Sequence, residues 1–451
     1  MTQATVNNEF SESIEKNNRR RYWISLSVFL LMFFLRDVGG ISIRPLFFLI
    51  ANTILFIFFD KEESIAFLIA MPLLNTGFQY VFAIGIGVVI YVIKNFNDIC
   101  ITKYAISVLL IFAWELLHII IPPFGVYDYI KYITPFFVYI VVICLNDTEI
   151  NTRLVIFTFL AVLIFLLTTV FLTTLMHFQF SLSTMWSKGF RLGFTVNKEV
   201  QYMLRGNPND LGFYCNLGIG GLLLLLANEE RTKVRIIFYI LSFIIALFGF
   251  ITLSKTYIVV LAFTVLYWFW VTSEKTIPKK LFNILLAILL LLGIILIIRA
   301  ISPILFKSFL ARFTDEDLTT GRNDLFVQYT KFIFSDIDIF IFGIGAQSYY
   351  EKVVRMSTII IDNVSHNGIQ EIFLTWGLIG FIIVLFLFFS YFLSAKRKGA
   401  KINVKNIMPF LIIILRIQSG HFSTAPLVII MLAFAYCCLF VKENKNYELQ
   451  E

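Results

Sequence analysis

Apolar runs at Leu154–Leu175, Leu281–Ile298 and Ile369–Leu393 constrain this chain more than any other feature. Each is close to or beyond the roughly 20 residues that cross the hydrocarbon of a bilayer. Only helices and closed barrels satisfy their own backbone there. These runs are continuous, not alternating, which points to helices. Of the 451 residues 59% are hydrophobic and only 15% charged, so the chain reads as a membrane protein.

Fourteen apolar segments follow one another: 22–36, 43–59, 63–76, 78–94, 104–121, 127–145, 153–176, 209–227, 236–253, 255–272, 281–300, 368–394, 406–419 and 424–441. Several are short. The pair 63–76 and 78–94 reads as a tight hairpin or a re-entrant element. The last pair, split by Gln418-Ser-Gly-His-Phe-Ser423, has the same ambiguity.

The net charge of +8 in a soluble chain would raise nucleic acid as a partner. Here Lys and Arg gather in Lys16–Arg21, Arg231–Arg235, Lys275–Lys280 and Lys396–Lys405, beside apolar runs, as cytoplasmic loops do. Counting crossings from a cytoplasmic Lys16–Arg21 puts all four clusters and the C-terminus on the inside. The expectation is an all-α, polytopic transmembrane bundle of about 12–14 spans, one domain over 1–451, with both termini cytoplasmic. Two long loops, about 177–208 and 301–367, then fall outside. A long loop is usually functional or disordered. The second carries Phe313, Phe326, Tyr329, Phe332, Phe334, Phe340, Phe342, Tyr349 and Tyr350, which argues for a folded cap of short helices on the bilayer surface. The five cysteines form no CxxC pair and sit in or beside apolar runs, so they read as structural thiols. The N-terminus lacks a cleavable signal pattern.

The outer face collects the polar residues that can carry chemistry. Loop one holds Arg191 and Arg205-Gly-Asn-Pro-Asn-Asp210. Ser254-Lys255 marks a tight outer turn. Loop two holds Thr320-Gly-Arg-Asn323 and Gly343-Ile-Gly345, and closes with Ser365-His-Asn367. The next helix opens Gln370-Glu371 and continues Trp376-Gly-Leu-Ile-Gly380. His421 sits in the last outer turn. Cations at the membrane boundary suit a lipid diphosphate, Arg as a bidentate fork and Lys as a point charge. A histidine beside them can take a proton from an attacking hydroxyl near neutral pH. That set fits glycosyl transfer from a lipid-diphosphate sugar, with the cations stabilising charge on the leaving group. Each residue alone has a plainer reading, a headgroup contact for an arginine or a cap for His366.

Their order and shared sidedness add weight. Gly-Asn-Pro-Asn before a span, Ser-Lys at a tight turn, Thr-Gly-Arg early in a large loop, Gly-x-Gly later, then His-Asn-x-x-x-Glu running into Gly-Leu-x-Gly resembles the O-antigen ligase/polymerase superfamily. Its members include Wzy-type O-antigen and capsule polymerases and WaaL-type ligases. The resemblance covers about residues 190–440. It implies a helical, metal-independent, inverting glycosyltransferase of the bacterial inner membrane, with no cofactor and an active site facing the periplasm. The donor it implies is an undecaprenyl-diphosphate-linked oligosaccharide. Membrane lipids, a chain-length regulator and a flippase are the partners it implies. In this sequence His366 matches the family's proposed base. Arg322 and Arg205 match arginines proposed to contact phosphate or substrate, with Arg191 nearby. Lys255 stands where many members carry Arg after Ser, keeping the charge and losing the fork. Glu371, in register with the family's Glu or Gln, reads equally as an orienter of His366 or as a hydrated carboxylate at a helix start. Asn367 and His421 are supporting candidates.

Four features fall outside that pattern or qualify it. Gly343-Ile-Gly345 lacks the setting of a nucleotide fingerprint and reads as a bend where backbone comes close to membrane or substrate. Gly377 and Gly380 read as small residues for close helix packing. Glu115 and His118 share a helix face inside an apolar run. Ionisable residues there are functional candidates, so lining of the acceptor groove, and a proton relay in a transporter or lipid flippase, stand as readings beside a structural pair. Arg416 is either a buried cation or an outer phosphate contact.

Overall fold

The computed structural model describes residues 3–74, 78–119, 126–145, 150–187, 191–193, 204, 207–272, 276–314, 321–346, 349–357, 361, 364–418 and 426–441. Arg205 and His421 lie outside the described residues. Within them the regular structure is entirely helical. The first half runs α1 (Gln3–Asp37), α2 (Pro45–Phe58), α3 (Lys61–Ala70, extended by a 3-10 turn over Met71–Leu74), α4 (Phe78–Lys94), α5 (Ala105–Ile119), α6 (Val126–Cys144), α7 (Thr152–His177) and α8 (Leu182–Ser187). It continues with α9 (Pro208–Ala227), α10 (Thr232–Ile251), α11 (Lys255–Thr272) and α12 (Ile277–Ile301). The short helices α13 (Pro303–Thr314), α14 (Arg322–Ile333), α15 (Ile337–Phe342) and α16 (Tyr349–Met356) come next. Three more close the chain: α17 (Gly368–Arg397), α18 (Met408–Gln418) and α19 (Pro426–Cys438).

Among the described helices α7, α9, α10, α11 and α17 are long and apolar enough to cross a membrane alone. The fourteen apolar segments each correspond to a helix. Segment 63–76 gives the shortest of these helices: α3 has ten residues and about 15 Å of rise, less than a bilayer's thickness. A capping box explains where it starts. The Asp60 side chain accepts from the Glu63 N–H, and the Glu63 side chain accepts from the Asp60 N–H. Every residue of α3 from Glu63 to Ala70 is buried, as a hydrophobic-all-round helix requires.

The basic clusters gather at one end of the bundle. Arg19 pairs with Glu62, and Asn151 also donates to Glu62 at 2.9 Å. Arg153 and Arg231 share Glu229, at 2.9 and 2.7 Å. Those two guanidinium groups, Arg231 first, hold the Glu229 carboxyl well down, at about 2. Lys398 donates to the carbonyls of Ile143 and Leu145, and Asn406 to that of Leu439. At the opposite end lie the termini that carry the candidate site.

Within 301–367 the described residues form the expected cap of short helices. It has its own small apolar core of Tyr329, Phe332, Ile333, Ile339, Ile344, Val353, Ile361 and Leu374, the last contributed by α17. Aromatic rings continue from it into the bundle: Phe334 stacks on Phe340, Phe340 on Phe373, and Phe373 on Phe381, with centroids 5.1, 6.1 and 4.4 Å apart.

Helix α17 is not one rod. Gly377 sits at φ 65° and ψ −167°, a conformation only glycine adopts readily, and splits it into halves 368–376 and 378–397. Gly377 is therefore a backbone break and not simply a small packing residue. The break exposes carbonyls, and the cap supplies donors. Ile344 N–H reaches the Leu374 carbonyl at 2.9 Å, and Gly345 N–H the Thr375 carbonyl at 2.7 Å. Gly343-Ile-Gly345 thus comes close to protein backbone, where the sequence suggested membrane or substrate. A side chain at Gly343 would stand 2.5 Å from the Thr375 oxygen.

Candidate active site

Asn367 caps the first half of α17. Its side-chain oxygen accepts from the N–H groups of Ile369 and Gln370 at 3.1 and 3.0 Å. His366 precedes it, half-buried, in the irregular stretch 364–367. The helix start is held on two sides. Asn367 Nδ2 donates to the Gln418 carbonyl at the end of α18, at 3.3 Å. Gln370 Nε2 donates to the Phe326 carbonyl and the Thr330 hydroxyl of α14, at 2.7 and 2.9 Å, while its own oxygen accepts from Ser365 at 3.0 Å.

Those bonds decide where Arg322 lies. It is the first residue of α14 and half-buried. Phe326 is one turn further on, about 6 Å of helical rise. Arg322 and His366 therefore begin two elements that are bonded to each other within a turn of both.

The chain of contacts continues across the same end. Two residues before Gln418, Arg416 is buried at 8% exposure and meets Asp210 at 2.9 Å. Asp210 belongs to the Asn-Pro-Asn-Asp start of α9, capped by Asn207, whose side chain accepts from Asn209 N–H. Asn209 in turn accepts from the Ser254 hydroxyl at 2.8 Å. Lys255, half-buried, follows as the first residue of α11. The turn before it is tight enough to place Leu253 at φ 50°. Tyr257 seats it by packing on Gly212 and Gly249 and donating to the Ala246 carbonyl at 2.9 Å. Leu192 N–H bonds the Ile251 carbonyl at 3.2 Å, which brings Arg191 beside that turn.

So Arg191, Lys255, Arg322, His366 and Asn367 stand on elements linked hydrogen bond by hydrogen bond at the end opposite the basic clusters. Arg416 joins them as a buried cation paired with Asp210. Next to Arg205, which lies outside the described residues, Leu204 donates its N–H to Asp37 at 2.9 Å, at the close of α1. Glu371 is fully buried, which removes the hydrated reading of its carboxylate.

Glu115 and His118 do not bond each other. His118 places Nδ1 2.9 Å from the Trp114 carbonyl and Nε2 2.8 Å from the Phe342 carbonyl. Glu115 accepts from Ala346 N–H at 3.0 Å and from Trp376 Nε1 at 2.5 Å. Trp114 Nε1 donates to the Trp376 carbonyl at 2.9 Å. Both groups are engaged by the cap and the α17 break, so they fasten backbone instead of pairing. Sequence reasoning also missed the Gln370 and Arg416 links; the polar residues were visible, their distant partners were not.

Such a site offers a half-buried imidazole and several cations, which suits deprotonation of a hydroxyl next to an anionic leaving group. A family model described as O-antigen ligase matches residues 240–385, from within α10 to within the second half of α17. The match spans 146 of the 451 residues and supports the O-antigen ligase/polymerase superfamily over that segment. No curated protein matches the chain.

Proposed function

We propose that the chain is a surface-polysaccharide polymerase of the bacterial inner membrane. It transfers a glycan from undecaprenyl diphosphate to a hydroxyl of a second lipid-linked repeat unit, on the periplasmic side. The observation that carries this reading is the run of bonds from Ser254 through Asn209, Asp210 and Arg416 to Asn367, Gln370 and Phe326, which joins the Lys255, His366 and Arg322 elements at one end.

In this mechanism His366 takes the proton of the acceptor hydroxyl. The freed oxygen bonds to the anomeric carbon from the face opposite the diphosphate. The carbon–oxygen bond to the diphosphate breaks, and its electron pair leaves with the phosphate. Arg322 and Lys255, with Arg205 and Arg191, hold the charge that develops there. One displacement inverts the anomeric centre. The chain's own cations carry the electrostatic load, so the step needs neither metal nor cofactor. Asn367 and Glu371 keep the His366 segment in place, and His421 belongs to the same outer surface. A chain-length regulator and a flippase are the partners such a polymerase works beside.

Polysaccharide gels of a deletion strain complemented with His366→Ala and Arg322→Ala test it. The polymer ladder is lost in both and lipid-linked single repeat units accumulate. A full-length ladder with His366→Ala overturns the mechanism. Accumulation of long polymer still on its carrier lipid, in place of single units, assigns the same chemistry to a ligase that transfers to lipid A–core.

A further inference from the structure

The half-helix that carries His366 cannot hold itself. Gly377 ends it after Trp376, and the carbonyls of Leu374 and Thr375 need outside donors. The cap gives two N–H groups, from Ile344 and Gly345. What keeps the cap segment 343–346 against the break is on α5, far away in sequence. Glu115 is 5% exposed, and each carboxylate oxygen receives one donor, Ala346 N–H from the cap and Trp376 Nε1 from the half-helix. It bonds both sides of this junction. His118, one turn on, stands against the Phe342 carbonyl, and Lys352 of α16 donates to the Ile344 carbonyl at 2.7 Å. Burial lowers the Lys352 pKa while Glu115 raises it. The carboxylate therefore faces His118 on its own helix and Lys352 from the cap.

We propose that Glu115 is a positioning residue: by bonding Ala346 and Trp376 together it fixes the half-helix 368–376, and so His366, relative to the cap that carries Arg322. This rests on reading His366 as the base. Glu115 lies outside residues 240–385, so the matched segment depends for its geometry on a helix from the other half of the chain.

The chemistry requires two acceptors. An amide at position 115 offers one oxygen, and its NH2 would face the donor of either Ala346 or Trp376. Glu115→Gln therefore opposes donor to donor on one side, and Trp376→Phe removes that conflict. A displacement of about 1 Å at a reacting group costs on the order of 100-fold in rate.

Two measurements test the proposal on full-length protein in nanodiscs. In amide hydrogen exchange, Glu115→Gln raises exchange in peptides covering 343–346 and 368–376 and leaves α9 and α10 unchanged. In turnover of lipid-linked repeat units extracted from the deletion strain, kcat falls ten- to a hundredfold while KM for the donor stays within about twofold. The double variant Glu115→Gln/Trp376→Phe recovers part of the kcat loss and much of the protection. If Glu115→Gln accumulates poorly, Trp376→Phe alone, which keeps the charge, still raises exchange at 343–346. Unchanged exchange in both variants overturns the fastening. Raised exchange with wild-type kcat overturns the positioning role, as does equal loss in kcat and affinity with no rescue. Normal polymer from His366→Ala overturns the base reading and the catalytic part of this proposal, while the exchange data separately decide the fastening.

Discussion

Gly343 and Gly377 bring two backbones into direct contact: a Cβ on Gly377 would lie 2.3 Å from the Ile341 carbonyl oxygen, and one on Gly343 2.6 Å from the Gly377 nitrogen. Both have positive φ, 78° and 65°. Neither position admits a side chain, for reasons of both space and conformation. The contact lets an extramembrane loop complete the hydrogen bonding of a broken membrane helix.

Gly377→Ala and Gly343→Ala should both lower the melting temperature of the purified protein. Backbone strain alone costs about 1–3 kcal/mol at such a site, before the steric overlap. Gly293→Ala, in α12 with nothing within 4 Å of the added carbon, should leave it unchanged or slightly raised. Thermal unfolding of the three variants makes the comparison; equal effects would show that the contact does not matter.

Gln370→Glu should damage polymer formation more than Gln370→Ala. The glutamine is buried and donates twice to α14. A carboxylate there would face the Phe326 carbonyl with no proton to give. Leaving a buried polar group unmatched costs about 1–3 kcal/mol, and more for a charged one. Gel ladders at matched expression read the order of the two variants.

Asp210→Ala should destabilise more than Arg416→Met. Removing the aspartate leaves a buried guanidinium without its carboxylate, whereas removing the arginine leaves a carboxylate with a side chain 37% exposed that water can reach. Breaking a buried pair from one side costs about 3–5 kcal/mol; Arg416 keeps other contacts, so about half that is expected. Melting temperatures of both singles and the double variant check the asymmetry.

At the basic end, Glu229 predicts an acid limb of stability. Its carboxyl is held at about 2, below its ordinary 4.5, chiefly by the hydrogen bond from Arg231. A depressed carboxyl contributes stability that is complete above its unfolded pKa and is lost as pH falls through the folded value. The melting-temperature gap between wild type and Glu229→Gln should be constant above pH 4.5 and close between 4.5 and 2. A gap that persists at the acid limit would refute the linkage.

Each apolar segment falls on a helix, because a membrane leaves the backbone few options, and five of those helices are long enough to cross one. The aromatic content of 301–367 foretold the cap. The break at Gly377 was invisible: apolar residues continue on both sides of it, and a positive φ leaves no trace in composition. Glu115 could be noticed as a charge in a span, yet its partners Ala346 and Trp376 lie more than 200 positions away. The site was legible as a set of residue types on one face; its links through Gln370, Asn367 and Arg416 were not, since periodicity does not report which distant carbonyl a side chain meets.

The repair of α17 has a bearing on how such proteins can be recombined. Residues 240–385 contain both the break in α17 and the loop that mends it, but the clamp over the mend, Trp114, Glu115 and His118, comes from α5. A chimera that exchanges the C-terminal segment between relatives must bring its own α5 along, or the half-helix 368–376 is delivered without its anchor.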